Sequence, residues 1–227
     1  MQVDFHFYCT AVLARAAGFS SHEALLIGYN AQYVDDATES ETIHIQIAAG
    51  QPAFPFEPTC TSYNPLDPTQ GLGPISWSAQ KRIFIPFHFI PPRPLDLSRP
   101  DLPFSYTTEP HSPFANFLLN EAMRDKHPIR RLCRIGIALH TYADSWAHSG
   151  FTGKKEAAND IENIQARDQI SGEWVPQVLE NLADGIMPPV GHAEALYFPD
   201  IPYIEWRCEQ SPNKIKTGGY NANTFLE

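Results

Sequence analysis

A chain of 227 residues, 43% of them apolar, is long enough to bury one hydrophobic core and falls within the size range of one domain. Its net charge of −10, from 26 acidic and 16 basic residues, excludes a protein that binds nucleic acid through an extended basic surface. No apolar run reaches the roughly 18 residues of a transmembrane segment, and no secretory signal pattern opens the chain, so we expect a cytoplasmic protein. The four cysteines are widely spaced without a CxxC pair, which favours reduced, packed thiols.

The first elements predicted along the chain are two helices, residues 4–18 and 20–39. The second begins with serines suited to N-capping and has Glu23 in its first turn. Residues 51–112 contain 13 of the 21 prolines, so we expect an irregular segment of turns and extended chain. Within it, "RIFIPFHFIPP" predicts an extended stretch that includes His88.

Helix is predicted again at 112–126 and 127–150, where Pro128 suits a first turn and Gly150 a C-terminal stop. Two further helices are expected at about 154–169 and 173–184, followed by a polar, peripheral tail from about residue 209. We therefore predict an all-α fold, a helical bundle forming one domain over residues 1–227.

A polar stripe crosses the last of the strong helices, in "IALHTYADSWAHSGF". His140, Asp144 and His148 are four residues apart, and positions at that spacing fall within an arc of roughly 80° on a helix. Imidazole and carboxylate side chains on an apolar helix favour a metal site over a buried polar ladder. Eight residues of helix span about 12 Å, too far for both histidines to bind one ion, whereas Asp144 could bridge two ions.

More ligands are needed than one helix supplies. Each remaining candidate also has an ordinary structural explanation, such as a helix-end carboxylate or a packed histidine. These candidates are His6, Asp35 or Asp36, His88, His192 and Asp200.

Four stretches, in this order, resemble the zinc-dependent phospholipase C and single-strand-specific nuclease superfamily. They are Met1 with His6 five positions later, "AQYVDDA" with Asp35, "PFHFIP" with His88, and "ALHTYAD" with His140 and Asp144. The sequence also resembles an uncharacterised bacterial family with the motifs "DFHFY", "QYVDDAT" and "HTYADSWAH". The superfamily resemblance implies an all-helical fold with three zinc ions in a cleft.

The resemblance also implies three ligand sets. Asp35, His88, His140 and Asp144 would hold one zinc, Met1 and His6 with bridging Asp144 a second, and His148 and His192 with an acid a third. The superfamily has that acid four residues after the last histidine, but position 196 is Leu, so Asp200 or Glu194 is the alternative.

The implied activity is hydrolysis of phosphate esters by a cluster-bound hydroxide, with Asp35 and Asp144 as catalytic residues and a small-molecule or lipid phosphate ester as substrate. Iron or manganese would also suit two or three such sites. No GxSxG elbow or glycine-rich phosphate loop offers a different hydrolase chemistry. A metal-stabilised, non-catalytic binding module and a superfamily member repurposed for a non-phosphate substrate are the alternatives.

Overall fold

The fold is described from a computed structural model. It describes residues 1–63, 76–96, 98–99, 101, 103–168, 170–176, 190–210 and 215–226. Within these residues, no helix combines the length and the apolar character needed to cross a membrane. All four cysteines are free, as predicted.

The helical part of the chain comprises one π-helical turn and four α-helices. Asp4–Cys9 forms the π-helical turn and continues into α1 (Thr10–Ala16). The following helix, α2 (Ser21–Asp36), begins at a complete capping box formed by Ser20 and Glu23. After the short helical turn α3 (Trp77–Ala79) come α4 (Pro113–Met123) and α5 (Pro128–Ala147).

The described residues 43–63 and 76–96 lie, in sequence, between the two halves of this helical part. Two short antiparallel strands, β1 (Ile43–Ile45) and β2 (Phe54–Phe56), form a hairpin. A single turn, α3 (Trp77–Ala79), then leads into a π-helical segment, Gln80–His88, which contains Pro86. The extended conformation predicted for the stretch around His88 is therefore wrong, because this stretch is helical and places His88 at its end.

The last third of the described chain contains a four-stranded antiparallel sheet. Its strands are β3 (Ile161–Arg167), β4 (Trp174–Pro176), β5 (Glu205–Gln210) and β6 (Ile215–Tyr220), in the order β4-β3-β5-β6. A short helix, α6 (Asn221–Leu226), follows, and single 3₁₀ turns occur at Ala157–Asn159, Ala193–Ala195 and Phe198–Asp200.

These strands correct the predicted all-α helical bundle, because the protein is a mixed α/β protein, with two antiparallel sheets among the described residues. The helix expected at 154–169 is a 3₁₀ turn followed by β3. The one expected at 173–184 begins instead with β4, and its residues 177–184 lie outside the described part. Alternate residues of β5 are buried, which is the two-residue period of a strand with one face on a core.

The C-terminal residues are integrated rather than peripheral. The Asn221 side chain accepts the Trp206 indole N–H at 2.9 Å and donates to the carbonyl oxygens of Phe198 and Ile201. It therefore ties α6 to the apolar cluster of Phe89, Phe151, Phe198 and Trp206 beneath the sheet.

A second cluster lies where α2 and α5 meet, and it includes Ile27, Leu132 and Ile135. The two helices approach closely because Gly136 has no side chain: a Cβ atom there would lie 2.4 Å from the Ile27 carbonyl oxygen. This close approach brings Asp35, near the end of α2, to within 3.7 Å of His140 on α5.

Candidate metal centre

The nine predicted ligands converge on one buried cluster, although they come from distant parts of the chain. His6 is on the first π-helical turn, Asp35 on α2, His88 at the end of the π-helical segment, and His140 and Asp144 on α5. The others follow the helix or lie in the 3₁₀ region: His148, His192 and Asp200, with the Met1 nitrogen beside them.

Asp144 is at the centre of the cluster and only 1% exposed. Its Oδ1 atom lies 2.6 Å from the Met1 nitrogen and 3.1 Å from Nε2 of His6. Its Oδ2 atom lies 3.0 Å from Nδ1 of His88 and 3.1 Å from Nε2 of His140. One carboxylate thus faces several potential ligands from both oxygens, which is the position of a bridging group.

Three groups of side chains place one ligand atom each within 4.8 Å of one another. The groups are His6, His140 and Asp144; Asp35, His88 and His140; and His148, His192 and Asp200. His140 and His148 belong to different groups, as the length of the helix between them requires. His148 itself is the C-cap residue, directly after the last residue of α5, rather than within the helix.

The sequence left two choices of ligand open, Asp35 or Asp36 and Asp200 or Glu194, and in each pair the first residue is the one in a ligand group. Asp36 is exposed and accepts a hydrogen bond from the Gln32 amide, while Asp35 belongs to the cluster. Glu194 accepts the backbone N–H of Ile161 at 3.0 Å. Asp200 lies 3.3 Å from His148 and 3.5 Å from His192, so Asp200 is the acid beside these two histidines.

Backbone carbonyls fix the orientation of three of the imidazoles. His88 Nε2 donates to the Thr61 carbonyl at 2.8 Å, and His148 Nδ1 donates to the His88 carbonyl at 2.7 Å. His192 Nδ1 donates to the Leu196 carbonyl at 2.8 Å. In a neutral imidazole the other nitrogen then has a lone pair, and in all three rings that nitrogen faces a carboxylate.

A lone pair directed at a carboxylate oxygen is repulsive unless a cation or a proton lies between them. Histidines that bind metal have this arrangement, with one nitrogen on the ion and the other N–H held by a carbonyl or a carboxylate. Burial lowers the pKa of His88, but the hydrogen bond and charge of Asp144 outweigh burial and raise this pKa, which favours a proton between the two groups when no metal is bound.

The two most deeply buried rings have nitrogen atoms without a hydrogen-bond partner. Nδ1 of His6 and Nδ1 of His140 are buried without a hydrogen-bond partner among the described residues, and Nε2 of His6 forms no well-aligned hydrogen bond although Asp144 is 3.1 Å away. The two rings are stacked 3.9 Å apart. Burial holds the pKa of His6 well below its usual value, so this ring is neutral at pH 7. Burial likewise lowers the pKa of His192, to about 4. A neutral imidazole is the form that binds metal.

The carboxylates of the cluster have no Lys or Arg partner among the described residues. Their ion-pair contacts are with the Met1 nitrogen and histidines only. Burial raises the pKa of Asp144, but the Met1 ammonium and the imidazoles outweigh it and hold that pKa well below its usual value. The Met1 ammonium is one positive charge beside three carboxylates, Asp35, Asp144 and Asp200, so further cations would be needed to balance their charge. These residues therefore fit a site for divalent metal ions.

The fold and this cluster define a mixed α/β protein with a buried histidine and aspartate centre. The chain belongs to DUF6765, a family of unknown function, whose sequence profile matches residues 1–227. No curated protein and no solved structure matches the chain. The resemblance to the phospholipase C and nuclease superfamily is untested by these comparisons and stays a prediction.

The residues missed by the sequence interpretation act through their backbone or by packing. Thr61 and Leu196 provide carbonyls that orient imidazoles, as does the carbonyl of the predicted ligand His88, and a carbonyl has no residue-type signature. Phe89 stacks on the His148 ring at 4.5 Å between centroids. Its place directly after His88, in an aromatic stretch, is the one sequence signal that could have indicated it.

Proposed function

We propose that this protein is a metal-dependent hydrolase of phosphate esters, with two or three divalent ions held by the histidine and aspartate cluster. The observation that carries the proposal is the set of imidazole nitrogens that face carboxylates while their opposite N–H groups are held by backbone carbonyls. Zinc is the first candidate metal, and iron or manganese would accept the same ligands.

Metal ions in such a cluster supply Lewis acidity and lower the pKa of water toward neutrality, which provides a nucleophile for phosphoryl displacement. The chain's own contribution is orientation. Asp144 holds two sides of the cluster together through its separate oxygens, and Asp35 is the most exposed of the carboxylates, with 32% of its side chain accessible. Substrate and water would therefore approach from the Asp35 side.

The proposed substrate is a small-molecule or lipid phosphate ester. A net charge of −10 disfavours a polyanion on the general surface, whereas a cationic cluster would attract a single phosphodiester locally. The cytoplasmic location expected from the sequence likewise stays a prediction.

The test is metal content and hydrolysis in the same preparations. We expect two or three equivalents of zinc by plasma mass spectrometry, with at least one lost in Asp144→Asn, and hydrolysis of bis(p-nitrophenyl) phosphate that Asp144→Asn abolishes. Asp125→Asn is the matched control, because Asp125 is also a buried aspartate but pairs with Arg130 and Arg134 instead of the cluster.

Two other results would refute the metal centre or the hydrolase. Metal content near zero, or equal in Asp144→Asn and the wild type, refutes the metal centre. Tight metal binding without hydrolysis of this ester or of a phospholipid refutes the hydrolase and favours the non-catalytic, metal-stabilised module, in which the metals only hold the elements together.

A further inference from the structure

We infer that Thr61 is a positioning residue that sets the distance between His88 and Asp35, two ligands of the proposed metal centre. The inference rests on the proposed function for the metal, whereas the hydrogen bonds of Thr61 do not depend on a metal. Thr61 lies in the chain segment between the β1–β2 hairpin and α3. Three hydrogen bonds connect it to the His88 ring and to the end of α2, the helix that carries Asp35.

The first bond orients His88. The carbonyl oxygen of Thr61 accepts the Nε2–H of His88 at 2.8 Å, which directs Nδ1 toward Asp35 Oδ1 at 3.8 Å and Asp144 Oδ2 at 3.0 Å. If this carbonyl moved away, the imidazole could rotate or take the other tautomer, and Nδ1 would no longer be fixed as the ligand.

The other two bonds attach Thr61 to the C-terminal end of α2. Its hydroxyl donates to the Val34 carbonyl at 2.8 Å, and its backbone N–H donates to the Ala37 carbonyl at 2.9 Å. Val34 immediately precedes Asp35, and Ala37 is the C-cap residue of the helix. The two bonds thus satisfy carbonyls at a helix end and hold the turn that carries Asp35.

One residue therefore joins the end of α2 to the His88 ring without being a ligand. Because metal ligands must be held to within about 0.2 Å, a residue that fixes two of them relative to each other controls affinity at that position. The hydroxyl is the part of this connection that a substitution can remove, since Thr61→Val keeps the shape and the β-branch while losing the donor.

The experiment compares zinc affinity of Thr61→Val, Thr61→Ser and the wild type by competition with a chelator. We expect Thr61→Val to weaken one ion by about 10–100-fold, as replacement of outer-shell partners does, while the others bind normally. Thr61→Ser keeps the hydroxyl and should bind as the wild type. The control is Ser20→Ala, which removes the N-cap of the same helix at the opposite end from Asp35.

Two results would overturn the inference. One is wild-type zinc affinity at every position in Thr61→Val; the other is an equal loss in Ser20→Ala, which would reflect only a less stable α2.

A readout that needs no metal separates this inference from the proposed function. In the metal-free protein, the His88 Nε2–H should appear by NMR as a slowly exchanging proton, and it should exchange fast in Thr61→Val. If the wild type binds no zinc but shows this difference, the hydrolase proposal fails and the positioning of His88 stands. If the proton is unaffected by Thr61→Val, the positioning role is refuted whatever the metal result.

Discussion

Gly136→Ala tests whether the contact between α2 and α5 sets the geometry of the proposed metal centre. The added Cβ would lie 2.4 Å from the Ile27 carbonyl oxygen and 2.8 Å from the Asn30 Cβ atom, about 1.0 and 0.6 Å short of the 3.4 Å at which ordinary contact begins. Two of the three nearest atoms, the Ile27 carbonyl oxygen and the Ala31 nitrogen, are backbone atoms, which cannot move aside as a side chain can. The helices must therefore separate or slide.

The expected cost follows from two opposing contributions. Overpacking of this kind costs about 1–3 kcal/mol, and alanine recovers up to about 1 kcal/mol through its better helix propensity. A net loss of about 1–2 kcal/mol lowers the Tm of a chain of this length by about 2–8 °C. His140 is one helical turn after Gly136, so a displacement near 1 Å would also exceed the tolerance of metal–ligand distances.

The assay is a thermal melt by circular dichroism, with zinc content measured on the same samples. Ile129→Ala is the control, because Ile129 is on the same helix but 62% exposed, and its loss should leave both quantities unchanged. A Gly136→Ala protein as stable as the wild type, with full zinc content, would show that the seam between the helices accommodates a methyl group and would refute this account of the site.

Three further substitutions test other parts of the structure. Asn221→Ala should lower the free energy of unfolding by about 1–3 kcal/mol in urea titrations, because it leaves a buried indole N–H unpaired; Asn223→Ala, at an exposed position, should not. Gly191→Ala should remove about one equivalent of zinc, measured by mass spectrometry. A Cβ at this position would lie 2.2 Å from the Phe89 ring, and the glycine has a φ of +58°, so the substitution should displace the neighbouring ligand His192. The hydrogen bonds donated by its arginine partners hold the pKa of Asp125 below its usual value, so its stabilising contribution is complete above about pH 4 and is lost as pH falls through the lowered pKa. Urea midpoints of Asp125→Asn and the wild type should therefore differ at pH 7 and converge at low pH; a constant difference would contradict the depressed pKa.

The long helices could be predicted because their signals are local. The capping box at Ser20 and Glu23 begins α2, and Pro128 occupies the first turn of α5, as the sequence indicates. Such signals depend only on residues close in sequence, so they can be recognised without knowing the rest of the fold. The stretch around His88 was predicted as extended because it is short, rich in aromatic residues and bounded by prolines, yet it forms a π-helical segment that tolerates Pro86.

The sheet could not be predicted with the same ease, because its strands are short and their partners are distant in sequence. In β5 the buried Trp206, Cys208 and Gln210 alternate with half-buried charged residues, a two-residue period that lasts for only six residues. Pairing of this strand with β3 spans about 40 residues of chain, and no local pattern records it. The all-α prediction failed at this point.

For the cluster, the sequence supplied the residue types but not their distances. The four-residue spacing of His140, Asp144 and His148 indicated a shared helix face, and the structure brings the remaining candidates to that face from elsewhere in the chain. The backbone carbonyls that accept hydrogen bonds from the imidazoles, including that of Thr61, can be identified only in the folded structure.

The sharing of His140 by two of the three ligand groups has a consequence for stoichiometry. Each imidazole nitrogen has one lone pair, so Nε2 of His140 can bond to only one ion at a time. Nε2 lies 3.1 Å from Oδ2 of Asp144 and 3.7 Å from Oδ1 of Asp35, a carboxylate from each of the two groups. If ions at both positions use this nitrogen they compete for it, and their binding free energies are coupled by the same amount in both directions. A titration with zinc would then be biphasic, with two ions bound tightly and a third bound more weakly by negative cooperativity.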